Sequence, residues 1–174
     1  MLFDVKRFGQ SIIQPVFIRK GHGIDNAGMK LSWPGYGLGI HRIKHSYTYE
    51  TDVATSITFI APKEVFDIVG YYDEKFSPAY MEDVDWSIRS KKMGVRHFVC
   101  PSANVMHRHN ESFSKEYSKL GISNICRKNR QYLIRKHYRG LDRIIRTAVS
   151  STLDVGKKAI DIITDRWVTP NNRH

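Results

Sequence analysis

The sequence predicts a mixed α/β domain followed by basic amphipathic helices, and three observations carry that reading. Residues 14–18 (QPVFI), 53–61 (VATSITFIA) and 95–100 are short, apolar or β-branched runs with strand character. Between them, Lys63–Val69 and the segment from Glu82 onward have helical spacing and helical boundaries. Near the C-terminus, Leu141, Ile144, Ile145, Ala148 and Val149 recur at i, i+3, i+4, i+7 and i+8, the stripe of an amphipathic helix. The organisation expected is an α/β unit over residues 1–120 and a helical basic region over 121–174.

Each element has its own justification. Residues 1–14 mix Leu2, Phe3, Val5, Phe8, Ile12 and Ile13 with charged positions and predict a short helix. Pro15 puts the strand over 14–18 at a strand start or a sheet edge. Residues 21–39 are glycine-rich and read as a long irregular loop. The run 53–61, bounded by Asp52 and Pro62, predicts a buried strand, and Pro62 suits the first turn of a helix that Gly70 closes. Val84 and Ile88 at i,i+4 predict the next helix from Glu82, with Gly94 as its stop. Pro101 is expected to turn the chain after the strand over 95–100. Residues 123–138 form a basic helix, the Leu141 stripe a second, and residues 155–167, with Ile160, Ile163 and Trp167, a third. Residues 170–174 are expected to fray.

Composition bounds the partners. The chain has 174 residues, 41% hydrophobic and 26% charged, which suits a domain with a real core. Its formal net charge of +11 calls for something anionic: a phospholipid surface, nucleic acid or a phosphorylated substrate. Nucleic acid is the weaker fit, because the basic residues sit on an Ile/Leu-striped helix without interleaved aromatics. A basic, apolar-striped helix fits an anionic membrane surface, although the same pattern also describes a helix packed on the domain with a solvated basic face. Cys100 and Cys126 give neither a disulfide framework nor metal-ligand spacing. No apolar run approaches a membrane span, and the N-terminus lacks the pattern of a secretory signal. A cytoplasmic protein, peripheral at the inner face of the membrane, is the expectation.

The chemistry concentrates between Gly70 and His109. Glu82, Asp83 and Asp85 cluster where an aromatic loop should become a helix. Acids in a first turn are stabilised by its free N–H groups, so capping alone would account for them. Asp85 and Arg89 stand at i,i+4, so one acid has a structural partner and the other two need not. The approach Phe76-Ser77-Pro78-Ala79-Tyr80-Met81 is stiff and apolar, suited to holding a carboxylate at a pocket floor.

Several short runs, in order, carry a resemblance: Val69-Gly70-Tyr71-Tyr72-Asp73-Glu74-Lys75-Phe76, Tyr80-Met81-Glu82-Asp83-Val84-Asp85-Trp86, Gly94-Val95-Arg96, Pro101, and Val105-Met106-His107. Together they resemble the second half of family-two glycosyltransferases, closest to the rhamnosyltransferase-like members with the GT-A fold. Ile24-Asp25-Asn26-Ala27-Gly28 is similar to the family's segment leading into its acceptor-side loop. The resemblance covers roughly residues 10–145. It implies inverting transfer of a sugar from a nucleotide-sugar donor to a glycan or lipid-linked acceptor. It carries the general base to Asp83, with Glu82 beside it as an orienting or acceptor-binding group, and substrate contacts to Thr55, Ser56, Tyr80 and Trp86.

The family uses a histidine at the position of His107 to help bind the metal–diphosphate, which implies a divalent cation, Mn²⁺ or Mg²⁺; imidazole favours manganese. The sequence departs from the family at Ser56, where glycine is usual, so Thr55-Ser56 either lies near the sugar or caps the backbone of a core strand. It departs more widely before residue 10. The family's nucleotide-binding strands and Asp-x-Asp motif find no counterpart ahead of Ser56, nor does a Gly-rich phosphate loop. The expectation is the acceptor-side half of an enzyme that works with a separate donor-binding polypeptide. The alternative is a truncated scaffold, a basic module that binds without catalysing.

Overall fold

The computed structural model describes residues 9–108 and 116–168, with side chains described to residue 156. The chain divides into two compact units, Met1–Ser32 with Tyr36–His109, and Trp33–Gly35 with Asn110–His174. The first unit is α/β. Its strands are β1 (Ser11–Arg19), β2 (Gly23–Asn26), β3 (Met29–Leu31), β4 (Gly37–Gly39), β5 (Tyr49–Glu50) and β6 (Arg96–Met106). Its helices are α1 (Lys63–Val69) and α2 (Glu82–Lys92), with a 3-10 turn at Glu74–Phe76. The order β2-β1-β6-β5 makes a mixed sheet, with β1 and β6 parallel and both outer strands antiparallel; β3 and β4 form a separate pair.

β1 is the centre of the unit, and here the sequence reading needs correction. The expected helix over 1–14 lies partly outside the described residues, and from Ser11 the chain is strand. Ile12, Ile13, Val16 and Phe17 are all fully buried, as a strand covered on both faces requires. Ile12 faces Ala54, Val65, Val69, Trp86 and Val95, while Ile13 packs with Phe98 and Cys100. Pro15 is not at an edge but inside β1, at the register shift between Pro15 and Val16, where a missing N–H does least harm.

Three further expectations change. The run 53–61 is not a strand: only isolated bridges form, Met29 to Val53 and Ile13 to Ile60. Side chains take its backbone donors instead. Gln14 Oε1 accepts from Thr55 N at 3.0 Å, Ser87 Oγ from Ala54 N at 3.2 Å, and Thr55 Oγ1 from Ile57 N at 3.1 Å. The glycine-rich stretch over 21–39 holds β2, β3 and β4 rather than being wholly irregular. β6 also runs past Pro101 to Met106 instead of turning there. The two helices of this unit agree with expectation: α1 ends at Gly70, in the left-handed region at φ 77°, and Gly94 (φ 81°) follows α2.

The second unit holds α3 (Lys119–His137) and α4 (Gly140–Val168); the second and third C-terminal segments expected from the sequence are one helix. Ser118 caps α3 through Gly121 N at 3.1 Å. α3 and α4 join through polar groups: the buried Arg130 donates to the buried Asp154, and the half-buried Gln131 Nε2 to Ser151 Oγ at 3.2 Å. Arg146 lies over the rings of Tyr138, at 3.9 Å, and Trp33, at 5.1 Å. The apolar stripe points the other way, with Leu141 71% and Ile144 62% exposed.

Candidate active site

The segment before α2 delivers two acids to one place. Phe76 is buried and anchors the 3-10 turn. Tyr80 (φ 73°) and Met81 (φ 76°) then adopt consecutive left-handed conformations, which cost non-glycine residues about 1–3 kcal/mol each. That strain persists because both sides are fixed, by Phe76 in the turn and by Val84 and Trp86 in the core. Helix α2 starts at once, with Glu82 and Asp83 in its first turn.

Asp83 Oδ1 accepts from Val84 N at 2.8 Å, and the backbone of Ser56 also bonds the carboxylate. These bonds are outweighed. Burial first, and the neighbouring Glu82 carboxylate second, push the Asp83 carboxyl up to about 7. Glu82 Oε1 accepts from Ser56 Oγ at 2.9 Å, while Glu82 Oε2 is buried with no hydrogen-bond partner. Tyr72, which the sequence reading passed over, belongs to the same cluster. Burial and the charges of Asp83 and Glu82 raise its phenol to about 12, so it stays a neutral donor. Nothing local in Gly70-Tyr71-Tyr72 distinguishes the two tyrosines; only the fold does.

The other acid of the cluster has a structural job. Asp85 is fully buried, and Arg89 Nε donates to its Oδ2 at 2.9 Å. The same guanidinium donates to Tyr71 O at 2.7 Å and to Val69 O. Trp86 Nε1 donates to Gly70 O at 2.7 Å. α2 therefore grips the turn that carries Tyr72.

Of the residues expected at the site, the structure brings Ser56, Glu82 and Asp83 together. Tyr80 lies half-buried on the loop just before them. Thr55 is buried, and its hydroxyl serves the backbone at Ile57. Trp86 is a core residue, 1% exposed and stacked on Phe59 at 5.5 Å, so it is placed for packing and not for substrate contact. His107 stands just beyond β6, with its backbone N bonded to Ile18 O at 2.8 Å and its Nδ1 2.7 Å from Asp25 Oδ2. A carboxylate on one ring nitrogen is the support that metal-binding histidines usually have. Yet no group of three or more possible ligands gathers among the described residues, so these residues do not by themselves fit a divalent cation.

One buried side chain that sequence reasoning missed ties these regions together. Gln14, fully buried, accepts from Thr55 N and donates from Nε2 to Asn26 Oδ1 at 3.3 Å. Asn26 in turn accepts from Gly28 N at 2.9 Å. The 53–57 loop and the segment carrying Asp25 are thus braced by one glutamine on the central strand. His109 lies outside the described residues.

No family model matches the chain, and no curated protein matches it significantly. The site stands on its own geometry.

Proposed function

We propose that the chain is the acceptor-side, base-bearing part of an inverting glycosyltransferase, GT-A in fold and rhamnosyltransferase-like. The observation that carries this reading is Asp83, a carboxyl poised to titrate near neutrality beside an unpartnered Glu82 oxygen. A base works best when its acidity lies near the working pH. In this reading one hydroxyl of the acceptor donates to the Glu82 carboxylate and orients it, while a neighbouring hydroxyl gives its proton to Asp83 as its oxygen attacks the anomeric carbon. The bond to the nucleoside diphosphate breaks on the opposite face, which inverts the centre. Ser56 holds Glu82, and Tyr72 supplies a neutral donor at the rim. The nucleotide-sugar donor and a divalent cation are held by a donor-binding part that lies outside residues 1–174. Release of nucleoside diphosphate from a panel of nucleotide sugars tests the reading. Residues 1–174 alone are expected to release none and the same residues together with the donor-binding part to release it; turnover by residues 1–174 alone would contradict the division of labour.

A second reading rests on α4. Among the described residues no helix is long and apolar enough to cross a membrane. Leu141, Ile144, Ile145 and Leu153 are nonetheless exposed, and Arg139 and Arg143 are exposed on the same helix and its approach. We infer an anionic membrane surface as their partner, which places the protein at the inner face of a membrane whether or not it catalyses. Cosedimentation with anionic vesicles should fall as salt rises, because surface attraction is screened. Ile144→Glu should remove it without unfolding an exposed position. Equal binding to neutral vesicles would contradict the electrostatic part, and no binding to either would contradict the whole.

A further inference from the structure

β6 leaves its ladder at one place. Pro15 pairs with Cys100, but the next residue of β1, Val16, pairs with Asn104, so Pro101, Ser102 and Ala103 stand out between two paired stretches. β5 runs antiparallel beside β6, with Tyr49 opposite Val99. The residues just before Tyr49 therefore run alongside those just after Val99. Between them is an open cavity of about 460 Å³ lined by Ile43, Lys44, His45, Ser46, Pro101 and Ser102.

The chemistry of this lining is one-sided. Lys44 brings a positive charge, Ser46 and Ser102 bring hydroxyls, and His45 brings a ring nitrogen. The chain has no Asp or Glu between Asp25 and Glu50, and none between Asp85 and Glu111. Both segments that build the cavity are thus free of carboxylates, while Arg42 and Arg108 add charge to them. The polar groups are also held. His45 stacks on Tyr47 at 4.9 Å and meets the edge of Tyr49 at 5.8 Å. Tyr49 is itself buried, its hydroxyl donating to Ala27 O at 2.9 Å. Ser102 Oγ lies 3.2 Å from the buried Cys100 Sγ. Neither Glu82 nor Asp83 lines the cavity, so it is a separate site from the acids of α2.

We propose that this cavity binds the phosphate of a small phosphomonoester or of a phosphorylated lipid headgroup. Lys44 supplies the countercharge, Ser46, Ser102 and His45 donate to the phosphate oxygens, and Ile43 and Pro101 flank the organic part. The site is larger than the anion alone, which leaves room for that part. The inference does not rest on the glycosyltransferase reading.

The test is titration of the whole chain with glycerol 3-phosphate at constant ionic strength, followed by amide NMR shifts and calorimetry. A second arm uses phosphatidylcholine vesicles with and without phosphatidic acid. Saturable shifts at residues 44–46 and 102 are expected, with none from glycerol. Lys44→Gln should weaken binding by about fivefold or more, since hydrogen bonds to charged groups are the strong ones, and Ser102→Ala by less. Saturation by glycerol 3-phosphate assigns a soluble phosphomonoester. Shifts at residues 44–46 and 102 with phosphatidic acid vesicles but not with glycerol 3-phosphate, lost in Lys44→Gln, assign a headgroup. Shifts confined to α3 and α4, or an affinity unchanged by Lys44→Gln in both arms, would overturn the proposal.

Discussion

Asp83→Asn is expected to lower sugar transfer by about 10²- to 10⁴-fold in the complete assembly, the usual cost of losing a base, and at the same time to make the protein more stable above neutrality. The second effect follows from the direction of the titration. The Asp83 carboxyl, raised from 3.8 to about 7, contributes stability that is fully present below pH 3.8 and is lost as pH rises through about 7. Above that, the fold carries a carboxylate it disfavours, which asparagine removes. The gain at pH 8 is at most about 4 kcal/mol, and less to the extent that water reaches the half-buried residue.

His97 slopes the other way. It is buried between Ser90 Oγ, 2.7 Å from Nε2, and Asp52 O, 3.2 Å from Nδ1, and burial pushes its pKa down from 6.5 to about 4. Its contribution is present above pH 6.5 and is lost as pH falls through about 4. Between about pH 4 and 6.5 the two groups oppose each other in the wild type. In Asp83→Asn only the histidine's slope remains, so urea unfolding should show stability climbing with pH across that window. A variant less stable than wild type at pH 8 would contradict this account of Asp83.

Arg89→Ala is the other large effect. An exposed ion pair at this spacing contributes only a few tenths of a kcal/mol, and the sequence alone supports no more. The structure changes the magnitude, because Asp85 is fully buried and Arg89 also donates to Val69 O and Tyr71 O. Removing the arginine leaves a buried carboxylate without its countercharge, at about 3–5 kcal/mol. Lysine should rescue little, since a single ammonium does not span the carboxylate and two carbonyls. Urea unfolding decides it, and a loss below about 0.5 kcal/mol would show that the pair is not structural. The same variant frees the turn holding Tyr72, so transfer should fall with stability.

Local chemistry made part of this legible in the sequence. The starts and stops of α1 and α2 are written in Pro62, Gly70 and Gly94, and the Asp85–Arg89 pair in its spacing. What failed needed partners far along the chain. Residues 53–61 have the composition of a strand, yet Gln14 and Ser87 take backbone donors that a ladder would have used. Pro15 and Pro101 look like strand boundaries, and the shifted register between β1 and β6 accommodates both. The acids were visible as a cluster and Asp85 as the paired one, but not that Asp85 is fully buried. The Ser56 contact to Glu82 spans 26 residues and has no local mark. The family resemblance assigns Trp86 a substrate contact; its own surroundings are Phe59, Phe66 and Tyr72.

The most direct measurement is the titration of Asp83 itself, by ¹³C NMR of the carboxyl carbons in the chain labelled at aspartate and assigned with Asp83→Asn. A midpoint near 7 is expected, moving down in Glu82→Gln as the neighbouring charge is removed. A midpoint near 4, unmoved by Glu82→Gln, would make the acids of α2 a helix cap and leave the chain without a base.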